Sequence, residues 1–234
     1  MSVSDRLAAL ALEYSLPADA AERLGRLLEA LAAEPDPHTT IADPELAVDQ
    51  HVADSLSALR LEPVPRATRV VDIGAGAGFP GLPLALALPH ARVDLLESAR
   101  RKCAVIERLA AAAEAPNVRA LAARAEEWAA GDGRGAYDLA TARAVAPLAV
   151  LVEYAAPLLS ADGSFVAWKG RRDPAEEHAG SVAAEIVGLR PISVEPVTPF
   201  AGAQDLNLHL YLKARETPDR FPRRPGVAAK RPLA

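Results

Sequence analysis

Cysteine is almost absent from this 234-residue chain. Cys103 stands alone, which excludes an internal disulfide and a zinc site built from several cysteines. Aromatic residues make up only 4% of the chain, so its apolar half is aliphatic and dominated by alanine. No apolar run reaches the ~18 residues that a membrane helix needs. The start has no basic segment leading into an apolar signal core. A cytoplasmic protein is therefore expected. The formal net charge of −5 argues against a protein coated in basic charge, though it leaves room for a local basic patch. There is no internal repeat. The length suits one large domain with an appendage.

What is present is a dense glycine turn. Val70 and Val71 lead through Asp72 and Ile73 into Gly74-Ala-Gly76-Ala-Gly78-Phe79-Pro80-Gly81. An apolar helix follows. Glycine at three alternate positions lets backbone approach a ligand with no Cβ between, and lets φ turn positive. Gly76 is expected at the tightest point of that turn. Gly76 to Gly81 spells the dinucleotide fingerprint G-x-G-x-x-G. Asp72 to Gly78 spells the D-x-G-x-G-x-G turn of S-adenosylmethionine (SAM)-dependent methyltransferases. The registers differ. Gly74 already ends the strand, and Asp72 would sit badly beside a pyrophosphate. A sulfonium and an ammonium both suit a nearby carboxylate, so the SAM register is preferred.

A second acid supports it. Glu97 ends the next apolar strand, 19 positions after Gly78. That is close to the spacing at which an acid meets ribose hydroxyls in βαβ nucleotide folds. Alone, it would read as a solvated strand end.

The first 65 residues read as a helical cap, with Leu24, Leu27, Leu28 and Leu31 at helical spacing. Residues 66–214 alternate. Strands are expected at 69–74, 91–97, 117–121, 137–143, 162–169, 191–198 and 206–213, and helices at 79–88, 99–114, 123–130, 147–159 and 173–188. This pattern implies an α/β fold with a seven-stranded, mostly parallel sheet and an antiparallel last strand. It is the Rossmann-like layout of a class I SAM-dependent methyltransferase. Residues 215–234 form a proline-rich tail with six basic and two acidic residues. Its prolines disfavour regular structure. As a solvated tail it would be inert. As a strap it would offer Arg223, Arg224 and their neighbours to RNA phosphate, with Phe221 as a stacking or anchoring group.

His51, Asp54 and Ser55 share one helix face by spacing. Arg143 ends the fourth strand, where open α/β sheets bind ligands, and its fork can hold a carboxylate, a phosphate or a guanine edge. Lys169 ends the fifth strand, with Arg171 and Arg172 close behind. Trp128 reads as a helix-packing residue. Methylation of cytosine C5 needs a nucleophilic cysteine at the substrate end of the sheet, and Cys103 lies in the helix after Glu97. Methylation of adenine N6 usually uses an Asn/Asp-Pro-Pro-aromatic turn, and the chain has Ala142-Arg143-Ala144-Val145 there.

Several motifs, in order, resemble the small-subunit ribosomal RNA methyltransferase G family, also called GidB. They are His51-Val-Ala-Asp54-Ser55, Val71 through Gly-Phe-Pro-Gly-Leu-Pro-Leu84, Leu95-Leu-Glu97-Ser98, Ala123-Arg-Ala-Glu126-Glu127, Ala142-Arg143-Ala144 and Trp168-Lys169-Gly170. The Thr217-Pro…Phe221-Pro-Arg-Arg-Pro-Gly226…Lys230-Arg-Pro-Leu233 tail is similar too. The resemblance implies SAM as cofactor and N7 of one guanine in 16S rRNA as target, an atom with an in-plane lone pair and no proton to lose, which the absence of an evident general base fits. It implies SAM contacts at Gly74, Phe79, Ala125, Glu126 and Arg143, joined to Gly76, Gly78 and Glu97 from the turn and the ribose reading. Arg143 is expected to orient the reactants. His51, Asp54, Lys169, Arg171, Arg172, Arg223 and Arg224 are expected to face RNA. The partner would be 16S rRNA or a small-subunit precursor, with no membrane, no metal and a monomeric enzyme. The chain departs from the family pattern at Pro37-His38-Thr39 and at Asn207, and both departures are expected to bear on RNA rather than on SAM. A methyltransferase of a small molecule or protein, and a non-catalytic SAM-binding RNA module, remain alternatives.

Overall fold

A computed structural model describes residues 1–234. The chain begins with helices α1 (Val3–Glu13) and α2 (Ala20–Ala33). Ser2 and Asp5 form a reciprocal capping box at the start of α1. The stretch from Pro44 to Arg60 is one continuous but irregular helix. It opens as α3 (Pro44–Ala47), widens to a π-turn over Val48–Ala53, returns as α4 (Asp54–Leu56), and tightens to a 3₁₀ turn over Ser57–Arg60. Asp43 caps it through the Glu45 amide, with Pro44 at the first helical position, as the sequence predicts.

The α/β unit alternates as expected: β1 (Arg69–Ile73), α5 (Gly81–Ala87), β2 (Arg92–Glu97), α6 (Arg100–Ala112), β3 (Val118–Ala122), α7 (Ala125–Ala129), β4 (Tyr137–Arg143), α8 (Leu148–Ala155), β5 (Leu159–Lys169), α9 (Pro174–Val187), β6 (Leu189–Val197) and β7 (Leu206–Lys213). The sheet order is β3-β2-β1-β4-β5-β7-β6. Pairing is parallel up to β5 and antiparallel at both β7 ladders. The order reverses between β1 and β4, so their carboxyl ends open a crevice. The main boundary differences meet at one junction: α8 ends at Ala155 rather than 159, and β5 begins at Leu159 rather than 162. The apolar run from Leu158 fits a helix end and a strand start equally well, so its pattern cannot place the junction.

Both sheet faces are covered. One apolar cluster joins Leu10, Leu24, Leu28 and Leu31 of the N-terminal helices to Leu84, Val105 and Leu109. The other packs α8 and α9 against Phe165, Ala167 and Tyr211. The tail is not loose. Phe221 is 1% exposed within the second cluster, and residues Val227–Lys230 form a short helix, α10. Phe221 therefore anchors the tail in the core and has no free face to offer a base.

Candidate functional site

A cavity of about 450 Å³ opens at the crevice between β1 and β4. That volume lies in the range of small-molecule and cofactor sites. Its floor is the glycine turn from Ile73 to Ala77, with Phe79 beyond. Three glycines there have positive φ: +69° at Gly74, +58° at Gly76 and +96° at Gly78. They serve different needs. A Cβ on Gly74 would sit 2.7 Å from Val145 Cγ2, and one on Gly78 would sit 2.4 Å from Leu82 Cδ1. A Cβ on Gly76 would meet only the Gly74 carbonyl, at 3.9 Å. Gly76 is thus not the tightest point of the turn. It is the residue whose missing side chain leaves the cavity open. Gly78 does not line the cavity and is required for packing.

Asp72 corrects the electrostatic reading. It is fully buried below the turn, not beside the cavity. Its carboxylate accepts from the Gly81 amide at 3.0 Å and from the Thr141 hydroxyl at 2.8 Å. Burial pushes its pKa up to about 7. Asp72 pins the start of α5 to β1 and β4, so it shapes the turn and leaves ligand contact to others.

Glu97 lies where the sequence puts it, in the cavity wall. One carboxylate oxygen accepts from the Gly76 amide at 3.2 Å, the other from the Ala99 amide at 2.9 Å. Lys102 Nζ stands 3.9 Å away. Both backbone bonds orient the carboxylate while lone pairs remain for hydroxyl donors. Ala125 and Glu126 form the wall after β3, joined by Arg124 and by Tyr154 from α8. Trp128 packs instead, with its indole N–H donating to the Tyr137 hydroxyl at 2.7 Å and Arg119 over its ring.

The opposite wall is Arg143, Phe79 and His51. His51 stacks on Phe79 with ring centroids 4.5 Å apart, and the Arg143 guanidinium lies 5.9 Å from the same ring. Arg143 donates to Asp54 Oδ2 at 2.6 Å and reaches His51 Nδ1 at 3.2 Å. Burial, then the neighbouring guanidinium, pulls the His51 pKa down to about 4. The neutral ring accepts at Nδ1 from Arg143, so Nε2 carries the proton. That N–H faces the Ile41 carbonyl at 3.1 Å and the Thr39 hydroxyl at 3.0 Å. Both nitrogens are occupied, so His51 has no lone pair free to act as a base. Burial pushes the Asp54 carboxyl up, and Arg143 opposes that shift. The Asp54 carbonyl accepts from the Ser57 amide and from two side chains besides: Trp168 donates to it at 3.0 Å and the Ser57 hydroxyl at 2.6 Å.

Thr39 and His38 line this same cavity. The departure at Pro37–Thr39 therefore falls on the wall of this cavity, because the loop folds back onto His51. Asn207 is 5% exposed and donates to the Gly170 carbonyl at 2.9 Å. It borders a second hollow of about 230 Å³, shared by Asp54, Arg143, Trp168 and Lys169. Arg143 and Ala144 border both hollows. Ala144 holds φ +57°, a left-handed value rare outside glycine.

The structure thus gathers Gly74, Gly76, Phe79, Glu97, Ala125, Glu126, Arg143 and His51 around one cavity. Asp54 and Lys169 fall on the second hollow. Arg171, Arg172, Arg223 and Arg224 line neither. Most of these cations have partners: Lys169 with Glu176 at 2.6 Å, Arg172 with Glu177 at 2.6 Å, and Arg171 with Asp205 at 3.3 Å. Arg223 forks onto Glu153. Sequence reasoning missed Lys102, Arg124 and Tyr154. Tyr154 sits in an apolar helix whose pattern does not mark it as facing a ligand. No group of three or more His, Cys, Asp or Glu side chains is placed to hold a metal ion, and no helix is long and apolar enough to cross a membrane.

The cavity fits a nucleoside bearing an amino-acid chain. The carboxylates of Glu97 and Glu126 stand in its wall, bare backbone lies along the floor, and a Cβ at Gly76 would intrude on the space. Comparison with known proteins agrees. The chain is 43% identical over 195 residues to ribosomal RNA small subunit methyltransferase G of Rubrobacter xylanophilus, covering 82% of this chain and 75% of that protein. It is 40% identical over 215 residues to the protein of that name from Deinococcus radiodurans, covering 91% and 85%. In fold it is similar to Aeropyrum pernix fibrillarin solved with S-adenosyl-L-methionine, with a TM-score of 0.53, 18% identity, and 68% and 72% of the two chains covered. A family model described as rRNA small subunit methyltransferase G matches residues 35–200, and the chain belongs to that family.

Proposed function

We propose that this protein transfers a methyl group from SAM to N7 of a guanine in 16S rRNA, as a monomeric, metal-independent cytoplasmic enzyme. Its family makes it a SAM-dependent methyltransferase of small-subunit rRNA. The N7 target rests on one observation above all. At the junction of the two hollows there is a fixed guanidinium, Arg143, which holds both His51 Nδ1 and the Asp54 carboxylate in place, so that the site is built to position rather than to remove a proton.

When bound, the cofactor supplies an electrophilic methyl on a sulfonium. Glu97 would accept from the ribose hydroxyls. The Gly74–Ala77 backbone would carry the amino-acid arm, and the wall at Ala125 and Glu126 would flank the base. Arg143 is held by Asp54 and His51 and points its fork along the boundary between cofactor and target. Guanine O6 is an acceptor beside N7 and can take an N–H from Arg143, which leaves the N7 lone pair free for the sulfonium methyl. Lone-pair attack at N7 needs alignment rather than proton removal, so positioning carries most of the rate.

Lys169 ends β5, Arg171 and Arg172 follow it, and Arg224 lies on the tail. The Arg171 and Arg172 side chains are 84% and 56% exposed, so their ion pairs contribute little and can exchange a carboxylate for a phosphate. The test is mass spectrometry of nucleosides from 16S rRNA incubated with SAM, with and without the protein. New 7-methylguanosine supports the reading. Methylation elsewhere on the RNA overturns the N7 target, and no RNA methylation favours a small-molecule or protein substrate.

A further inference from the structure

The C-terminal tail reaches the cofactor cavity from behind. Phe221 is buried, and its carbonyl accepts from Arg134 Nη1 at 2.8 Å. Arg223 forks onto Glu153, with Nε 2.6 Å from Oε1, and Glu153 is 2% exposed. The same guanidinium donates to the Arg231 carbonyl at 2.9 Å and so closes the tail into a loop. Within that loop Gly226 has φ +78° and its amide donates to Glu126 Oε1 at 2.8 Å. Glu126 is 6% exposed and belongs to the cavity wall, as does Tyr154, which follows Glu153 on α8. No side-chain cation pairs with Glu126. The tail amide is the one protein donor fixing that carboxylate.

We propose that residues 221–231 form a positioning strap for the cofactor cavity: the Gly226 amide sets the Glu126 carboxylate, and the Arg223–Glu153 fork holds the tail and α8 in register around it. This rests on the cavity being the cofactor site. The tail's basic composition suggests an RNA arm, yet its most constrained arginine is spent on a buried glutamate. A hydrogen bond to a charged acceptor is among the stronger kinds, so its loss is felt as roughly ten-fold in affinity.

The experiment compares two full-length-derived variants by calorimetry with S-adenosylhomocysteine. A chain ending at Pro225 keeps Phe221 and the Arg223 fork but loses the Gly226 amide. It should melt near the parent temperature and bind the product roughly ten-fold more weakly. In methyl transfer its KM for SAM should rise, with kcat at saturating SAM nearly unchanged. The Arg215→Ala/Arg220→Ala variant removes two tail charges outside the strap and keeps the amide, and it should bind as the parent does. Equal affinity in the folded truncation overturns the strap. So does an equal loss in the charge variant, which would make the effect electrostatic. If the truncation fails to fold, hydrogen exchange on the intact chain decides. By linkage, bound product should slow exchange over residues 221–231, and unchanged exchange there counts against the proposal. A parent protein that does not bind the product at all would remove the cofactor reading beneath it.

Discussion

Arg143 Nη1 lies 2.6 Å from Asp54 Oδ2, joining the end of β4 to the helix that follows the π-turn across 89 residues of sequence. Both side chains are largely buried, at 15% and 11% exposed. Removing the guanidinium leaves a carboxylate without its partner. Arg143→Ala should lower stability by about 3 kcal/mol, the usual scale for a broken buried pair. Arg143→Ala combined with Asp54→Asn should recover most of that stability, because the orphaned charge is gone, while methyl transfer stays lost. Urea unfolding beside a tritiated-methyl assay separates the two. Recovery of activity in the double variant would mean that Arg143 serves only the fold.

Two glycines of the same turn should behave differently. Gly76→Val places its side chain toward the cavity, where the protein offers no clash, so the fold should survive with about 1 kcal/mol of backbone strain. Product binding should vanish. Gly78→Val drives its Cβ into Leu82, as the 2.4 Å approach requires, so the protein itself should lose stability. Melting temperature and calorimetry on both variants check this. Intact binding in folded Gly76→Val would mean that the turn does not hold the cofactor.

The alternation of strands and helices was legible because βαβ units repeat their apolar pattern without help from distant contacts. The glycine turn and Glu97 were legible for a similar reason: each sits at a strand end, where the fold leaves one place for it. Asp72 was misread because sequence spacing does not say on which side of a strand end a carboxylate emerges. It turned down to the Gly81 amide. That Thr39 lines the cavity was not legible, because its placement depends on a loop folding back onto His51. The tail was the least legible segment. A proline-rich stretch has no period to reveal a buried face, so neither the anchoring of Phe221 nor the contact from Gly226 to Glu126 could be seen before the chain was folded.

Asp72 and His51 should tilt the stability curve in opposite directions. The folded Asp72 pKa is raised from 3.8 to about 7, so between these values the native state binds more protons than the unfolded one. Its contribution is greatest at low pH and is lost as pH rises toward 7. His51 is depressed from 6.5 to about 4, so its contribution is full above 6.5 and is lost as pH falls toward 4. The two slopes offset each other between about pH 4 and 6.5. Asp72→Asn should therefore unmask a loss of stability on acidification, and His51→Gln should unmask a loss on alkalinisation. Chemical denaturation from pH 4.5 to 8 measures both. Parallel curves for the two variants would show that neither group titrates as its burial implies.

RNA engagement should be governed by the exposed pairs beyond β5 rather than by the strap. Arg171 and Arg172 border neither hollow, and each holds a carboxylate on the protein surface. On RNA they would trade that carboxylate for phosphate and release counterions, with a slope of roughly −0.7 per contact for single strands. Arg171→Ala and Arg172→Ala together should flatten the salt dependence by up to about 1.4 and weaken binding across RNA sequences alike. Affinity for S-adenosylhomocysteine should not change, because neither residue touches the cavity. Arg143→Lys should do the reverse. It keeps the charge but loses the fork, so methyl transfer should drop while the salt slope stays. A filter-binding titration from low to moderate salt, run beside single-turnover methyl transfer, reads all of these quantities. If the double variant keeps the parent slope, the phosphate contacts lie elsewhere on the protein, and Arg224, which has no carboxylate partner, becomes the next residue to test.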